Sequence, residues 1–170
     1  MLRPPAGNPE VAATPATKML DHAGVAYHVH TYEHDPRADG YGLEAAEALG
    51  VDPHRVFKTL VAIVEGIRAV SVVAVVPITA KANLKAVASH AGGKRAALTD
   101  PAAAERLTGY VVGGISPFGQ KRPLPTIVDE SAFGFPTVFC SGGRRGLEIE
   151  LAPADFLALL GAVRADIQAR

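Results

Sequence analysis

The sequence predicts a mixed α+β fold, a barrel-like β-sheet surrounded by helices. Two observations carry this expectation. Residues 56–64 and 69–76 are long apolar runs joined by Glu65-Gly66-Ile67-Arg68, the pattern of a hairpin. Both runs are apolar on both faces, which places the hairpin mid-sheet under covering helices. Capped helical segments also interleave with short β-rich ones, and hairpins outnumber clean βαβ units.

The elements follow in order. Residues 1–13 are rich in Pro, Gly and Ala and read as a flexible N-terminal tail. Residues 14–170 read as a single domain, long enough to bury a core. Thr14-Pro15 starts a helix with a hydroxyl cap and a proline in its first turn, and Gly24 ends it. Residues 25–32 alternate as a strand, with Val25, Tyr27 and Val29 on one face and His28 and His30 on the other. A polar loop from Glu33 to Tyr41 leads to a short helix at 43–49, closed by Gly50.

After the hairpin, Thr79 reads as the cap of a helix bearing Leu84, Val87 and Ala88, stopped by Gly92-Gly93. Asp100-Pro101 begins another helix, to Leu107. Residues 125–128 and 137–141 read as strands, and Gly142 to Gly146 as a tight turn into an alternating strand at 147–151. Pro153 opens a last helix with Phe156, Leu157, Leu159, Leu160 and Val163 toward the core.

Composition narrows the function classes. Lys+Arg and Asp+Glu both number 17, so no global field draws in nucleic acid; basic residues pair only locally, at Lys94-Arg95, Lys121-Arg122 and Arg144-Arg145. No apolar run reaches the roughly 18 residues of a membrane span. The first residues lack the apolar core of a signal peptide, so the expected location is cytoplasmic. The single cysteine, Cys140, excludes an intramolecular disulfide and reads as a buried, inert thiol in a strand. No Gly-x-Ser-x-Gly, Walker loop or dinucleotide fingerprint occurs, so no cofactor is expected. His28, His30 and His34 lack a further ligand at a completing spacing, so no metal is expected either.

Three features could carry chemistry. Gly113-Gly114-Ile115-Ser116-Pro117 is a stiff loop whose main-chain N–H groups could face an oxyanion, a carbonyl or a phosphate; an ordinary glycine-proline turn has the same composition. Lys58 is a cation in an apolar strand, either reaching out along the sheet edge or holding a charge in a pocket. Glu148 and Glu150 share one strand face, which reads as a solvated outer face rather than as a pair of general bases.

Taken together, Thr14-Pro15-Ala16, His30 to Pro36, Phe57-Lys58-Thr59-Leu60, Thr108 to Lys121 and Ser141 to Leu147 resemble the bacterial Cys-tRNA(Pro) deacylases of the YbaK type. Those are free-standing relatives of the editing domain inserted in prolyl-tRNA synthetase. The resemblance spans about residues 14–168 in order. It implies the mixed, helix-ringed sheet read above. It identifies Lys58 with the family's essential lysine, and implies that main-chain groups of Gly113 and Gly114 face the aminoacyl carbonyl. Tyr32, Ile115, Ser116, Pro117, Ser141, Gly142 and Gly143 are implied as lining. Tyr41 stands where relatives often carry Phe, and Arg122 and Arg144 where they carry a second Lys.

The implied activity is deacylation of Cys-tRNA(Pro) and Cys-tRNA(Cys). The cysteine thiol attacks its own ester, releasing thiolactone and free tRNA, so the enzyme is formally lyase-like and otherwise a hydrolase. The implied partners are the aminoacylated 3′ end of tRNA and a prolyl-tRNA synthetase that supplies RNA grip. Two other readings stay open: an editing hydrolase for another small amino acid, such as Ala-tRNA(Pro), and a non-catalytic module that captures aminoacyl-tRNA or a synthetase.

Overall fold

The computed structural model describes residues 13–38 and 40–170. The tail expected at 1–13 lies outside them apart from Ala13. The Thr14 hydroxyl accepts from the Thr17 N–H at 3.2 Å and caps α1 (Pro15–Ala23), which Gly24 ends at φ +70°. The chain continues through β1 (Tyr27–Thr31), α2 (Tyr41–Leu49), β2 (Phe57–Glu65), β3 (Val70–Pro77), α3 (Leu84–His90) and β4 (Arg95–Leu98). Then come α4 (Pro101–Thr108), β5 (Thr126–Asp129), β6 (Val138–Arg144), β7 (Leu147–Leu151), α5 (Ala154–Leu160) and β8 (Val163–Ala165).

The predicted hairpin forms, with β2 and β3 antiparallel from Phe57 opposite Pro77 to Val64 opposite Val70. It sits inside a five-stranded sheet ordered β4-β2-β3-β5-β8, in which β5 runs parallel to both β3 and β8. Both faces are covered, as the apolar runs require. Val73 and Val75 pack toward Leu20, Cys140, Ile149 and Phe156, whereas Val72, Ala74 and Val76 pack toward Val87, Ala88 and Ile167. A three-stranded sheet, β1-β7-β6, lies beyond the first of these cores.

The sheets do not close into a barrel. One parallel bridge, Val56 to Phe139, links them. On its other side β2 pairs with β4 only from Ala62 to Glu65, so the β2 edge at residues 58–60 has no ladder partner there. That gap is where the cleft described below opens.

Several expectations are corrected. Asn83, not Thr79, caps α3, its side chain accepting from the Ala86 N–H at 3.0 Å. Thr79 is held in a turn because β3 runs on to Pro77 and Ala80 N–H bonds the Pro77 carbonyl. Val163 is half-exposed on β8: Gly161 adopts φ +61° and ends α5, and the chain then pairs with β5. β6 continues with a bulge through Gly142 and Gly143 to Arg144, which leaves only Arg145 and Gly146 for the turn.

The last residues act as a clamp. The Asp129 carboxylate accepts from Ile167 N–H at 2.9 Å and from the Gln168 amide at 2.7 Å. This segment in turn pins the turn after β3: Asn83 N–H donates to the Ile167 carbonyl and Ala169 N–H to the Lys81 carbonyl, both at 2.7 Å. Among the described residues no helix is long and apolar enough to cross a membrane.

Candidate active site

The unpaired stretch of β2 borders a cleft of about 410 Å³. Residues 57–61 form one wall, and the start of α2 with Tyr41 forms another. Val112, Gly113 and Ile115 come from the glycine loop, and Ser141 and Glu148 from the small sheet. Of the residues singled out in the sequence, the cleft therefore brings together Tyr41, Lys58, Gly113, Ile115, Ser141 and Glu148.

Lys58 is half-buried, opposite Val76 in the ladder. No carboxylate among the described residues lies within ion-pair distance of it. Burial, and then the like charge of Lys81, hold its pKa below the usual lysine range. A cation kept from water without an anion has electrostatic capacity to spare for a ligand.

The glycine loop serves the site differently from expectation. Gly113 sits at φ +87°, and a Cβ there would come within 2.7 Å of the Tyr41 ring. Arg145 covers the same ring, its guanidinium 4.9 Å from the centroid, while its Nε donates to the Val112 carbonyl at 2.9 Å. Tyr41 is thus held between loop and arginine. Gly114 is buried, its N–H is taken by Val111, and a Cβ would meet the Arg144 backbone at 2.7 Å. Its role is close packing; the amides of Gly113, Ile115 and Ser116 have no partner among the described residues, and of these Gly113 and Ile115 line the cleft. Ser116 and Pro117 are buried behind the loop and do not line the cleft. The Ser116 hydroxyl accepts from Phe118 N–H at 3.3 Å.

Gly142 and Gly143 also support from behind. A Cβ on Gly142 would meet Leu147 at 2.8 Å, and one on Gly143, at φ +109°, would meet Tyr110 at 2.9 Å. The Thr14 hydroxyl donates to the Gly142 carbonyl, tying α1 to this strand. Arg122 and Arg144 are exposed. Tyr32 stands beside the cleft rather than in its lining; burial first, and then the Glu148 carboxylate, push its phenol up to about 12.

The family model of the aminoacyl-tRNA editing domain matches residues 36–159. The chain belongs to this family. The editing domain is 37% identical over 155 residues to EbsC of Enterococcus faecalis, provisionally named a Cys-tRNA(Pro)/Cys-tRNA(Cys) deacylase, covering 91% of this chain and 92% of that one. It is 31% identical over 144 residues to the multifunctional Ser/Thr-tRNA deacylase ProXp-y of Escherichia coli K12, covering 83% of each. A crystal structure provisionally described as a trans-editing enzyme for prolyl-tRNA synthetase superposes with a TM-score of 0.75 at 26% identity, covering 94% of this chain and all of that one. The mixed α+β architecture of the editing domain is accordingly that of its family.

Glu148 is the residue that sequence reasoning misplaced. It is 7% exposed, and burial pushes its carboxyl up to about 8. Its face of β7 is covered by α2 and Val56, not by water, as the cluster of Ala46, Val56 and Phe139 on the same side records. Glu150, two residues on, is satisfied by His30 at 2.9 Å, by Arg55 at 3.3 Å and by the Thr137 hydroxyl. His34 likewise bonds Glu44, so these two histidines each serve a carboxylate. Lys81 is a second cation near the cleft, with no sequence signal beyond its place after the hairpin. Cys140 is wholly buried in the core, its thiol pushed well above the usual range by burial and then by Glu148.

Proposed function

We propose that the editing domain, acting through residues 14–170 as one unit, deacylates Cys-tRNA(Pro) and Cys-tRNA(Cys) with the substrate's own thiol as nucleophile. The observation that carries this reading is Lys58, a half-buried cation with no ion-pair partner among the described residues, in a cleft whose described lining holds no activated nucleophile. Cys140 is shut in the core and Ser116 is behind the loop, so neither meets an ester in the cleft. In the proposed step a C–S bond forms at the aminoacyl carbonyl and the ester C–O bond breaks. The thiol proton ends on the leaving ribose oxygen. Lys58 and the Gly113 amide face the charge that develops on the carbonyl oxygen. Intramolecular attack supplies the rest through its high effective concentration. The same reading places the enzyme in the cytoplasm, with the aminoacylated 3′ end of tRNA as substrate and prolyl-tRNA synthetase as partner.

A deacylation panel tests it. tRNA(Pro) charged with Cys, Ala, Ser or Pro is incubated with catalytic enzyme, and products are trapped early for mass spectrometry. Preferential release from Cys-tRNA(Pro), with thiolactone trapped, is the expected result. Solvent oxygen in the first cysteine released, without thiolactone, overturns the mechanism. The similarity to ProXp-y favours one second reading, cleavage of a hydroxy amino acid ester by water. Faster release of Ser than of Cys would establish it, and stoichiometric capture without turnover would make the domain a binding module.

A further inference from the structure

We propose that Glu148 is the anchor for the free α-ammonium group of the aminoacyl ester, so that the cleft admits aminoacyl-tRNA and rejects tRNA whose amino group is acylated. The inference rests on the reading of the cleft as an aminoacyl-ester site.

Glu148 lines the cleft, yet no described residue hydrogen-bonds to it, and its Oε2 is completely buried without a partner. Orphaned buried carboxylates are rare because desolvation is costly. Glu150 serves as an internal control. It lies on the same strand face, and His30, Thr137 and Arg55 all serve it. His30 is the residue directly opposite Glu148 in the ladder, but its imidazole turns to Glu150 instead. Ser141, opposite on the other side, accepts from Gly143 N–H at 3.2 Å and makes no hydrogen bond to Glu148. Tyr32 and Cys140 both feel the charge of Glu148, and neither is a cation. Lys58 makes no ion pair with it.

Among the described residues that line the cleft, the cation Lys58 and the carboxyl of Glu148 are thus both without a charged partner, and they are kept apart. An aminoacyl ester is complementary to that pair: an electron-rich carbonyl for Lys58, and a cationic amine whose approach draws the buried Glu148 into its charged form. Peptidyl and N-formyl esters keep the carbonyl but replace the ammonium with a neutral amide. Such a group would leave the carboxylate buried and still unpaired, the arrangement that discriminates most strongly.

Binding is measured by calorimetry with 3′-deoxy-3′-cysteinylamino-adenosine, whose amide cannot be cleaved as the ester is, and with its N-acetyl form. Turnover of Cys-tRNA(Pro) and N-acetyl-Cys-tRNA(Pro) is measured in parallel. The parent should bind the free amine at least about tenfold more tightly than the acetylated form. Glu148→Gln should weaken only the free amine and bring the ratio to about one, and Glu148→Asp should restore part of it. A ratio near one in the parent, no binding of the free amine, or an undiminished ratio in Glu148→Gln overturns the proposal. A free-amine preference with no turnover of any charged tRNA would leave the subsite standing and sink the deacylase reading. Turnover without the preference would do the reverse.

Discussion

Gly113 and Tyr41 occupy one another's space: the volume a side chain at 113 would need holds the Tyr41 ring, 2.7 Å from the position of that absent Cβ. Gly113→Ala must therefore move the ring and also adopt φ near +87°. It should cost about 1–3 kcal/mol of stability and most of the activity. Adding Tyr41→Ala removes the clash but not the backbone strain. A double-mutant cycle on chemical denaturation should show the second change recovering part of the first loss, whereas strict additivity would mean the two residues do not touch.

Lys58→Ala should abolish deacylation, by at least about two orders of magnitude in kcat/KM, while thermal stability holds or rises. A half-buried cation without an anion contributes little to the fold that its removal could cost. Near-parental turnover of Cys-tRNA(Pro) by this variant, in single-turnover assays, would remove Lys58 from the chemistry.

Cys140→Ser should stay active. The thiol is sealed in the core, so the exchange buries a hydroxyl in apolar surroundings at about 1–3 kcal/mol. Paired melting curves and rate measurements separate these outcomes. Loss of activity with an unchanged melting temperature would return the nucleophile to the protein.

Glu148 also sets a pH dependence of stability with a definite sign. Its carboxyl has a reference value of 4.5 and is pushed up to about 8 in the fold by burial. The folded state holds the proton more tightly, so this contribution is whole below pH 4.5 and is lost as pH rises toward 8. Glu148→Gln cannot lose it. The variant should gain on the parent by an amount on the order of a few kcal/mol between about pH 5 and about pH 9, read by urea denaturation. Glu150 works in the opposite sense: although burial pushes its carboxyl up, Thr137 and His30 hold it below its ordinary value, and its contribution fades as pH falls. A parent-to-variant gap that does not change with pH would mean Glu148 titrates as an exposed group.

How much of this was legible in the chain depended on how local the cause was. Lys58 stood out because a lysine in a strand apolar on both faces has few innocent explanations. Helix α1 could be read in full, since Thr14, Pro15 and Gly24 act within one or two turns. Glu148 could not: two glutamates alternating on a strand look the same whether they face water or a helix, and the cover comes from α2, about a hundred residues earlier. The fate of the Gly114 amide was hidden for a different reason: its bond to the Val111 carbonyl is local, but a Gly-Gly pair permits several turns and does not select this one. β4 and β8 are too short to show a period, and Val163 keeps a helical spacing that Gly161 interrupts.

The clamp at residues 167–169 has a consequence for the order in which the protein is made. The turn that carries Lys81 takes its fixing hydrogen bonds from Ile167 and Ala169, which leave the ribosome long after it. The hairpin with Lys58, the glycine loop and Glu148 can all be in place while that turn still lacks its anchor. A nascent chain halted before residue 169 would therefore hold the turn that carries Lys81 without its hydrogen bond from Ala169.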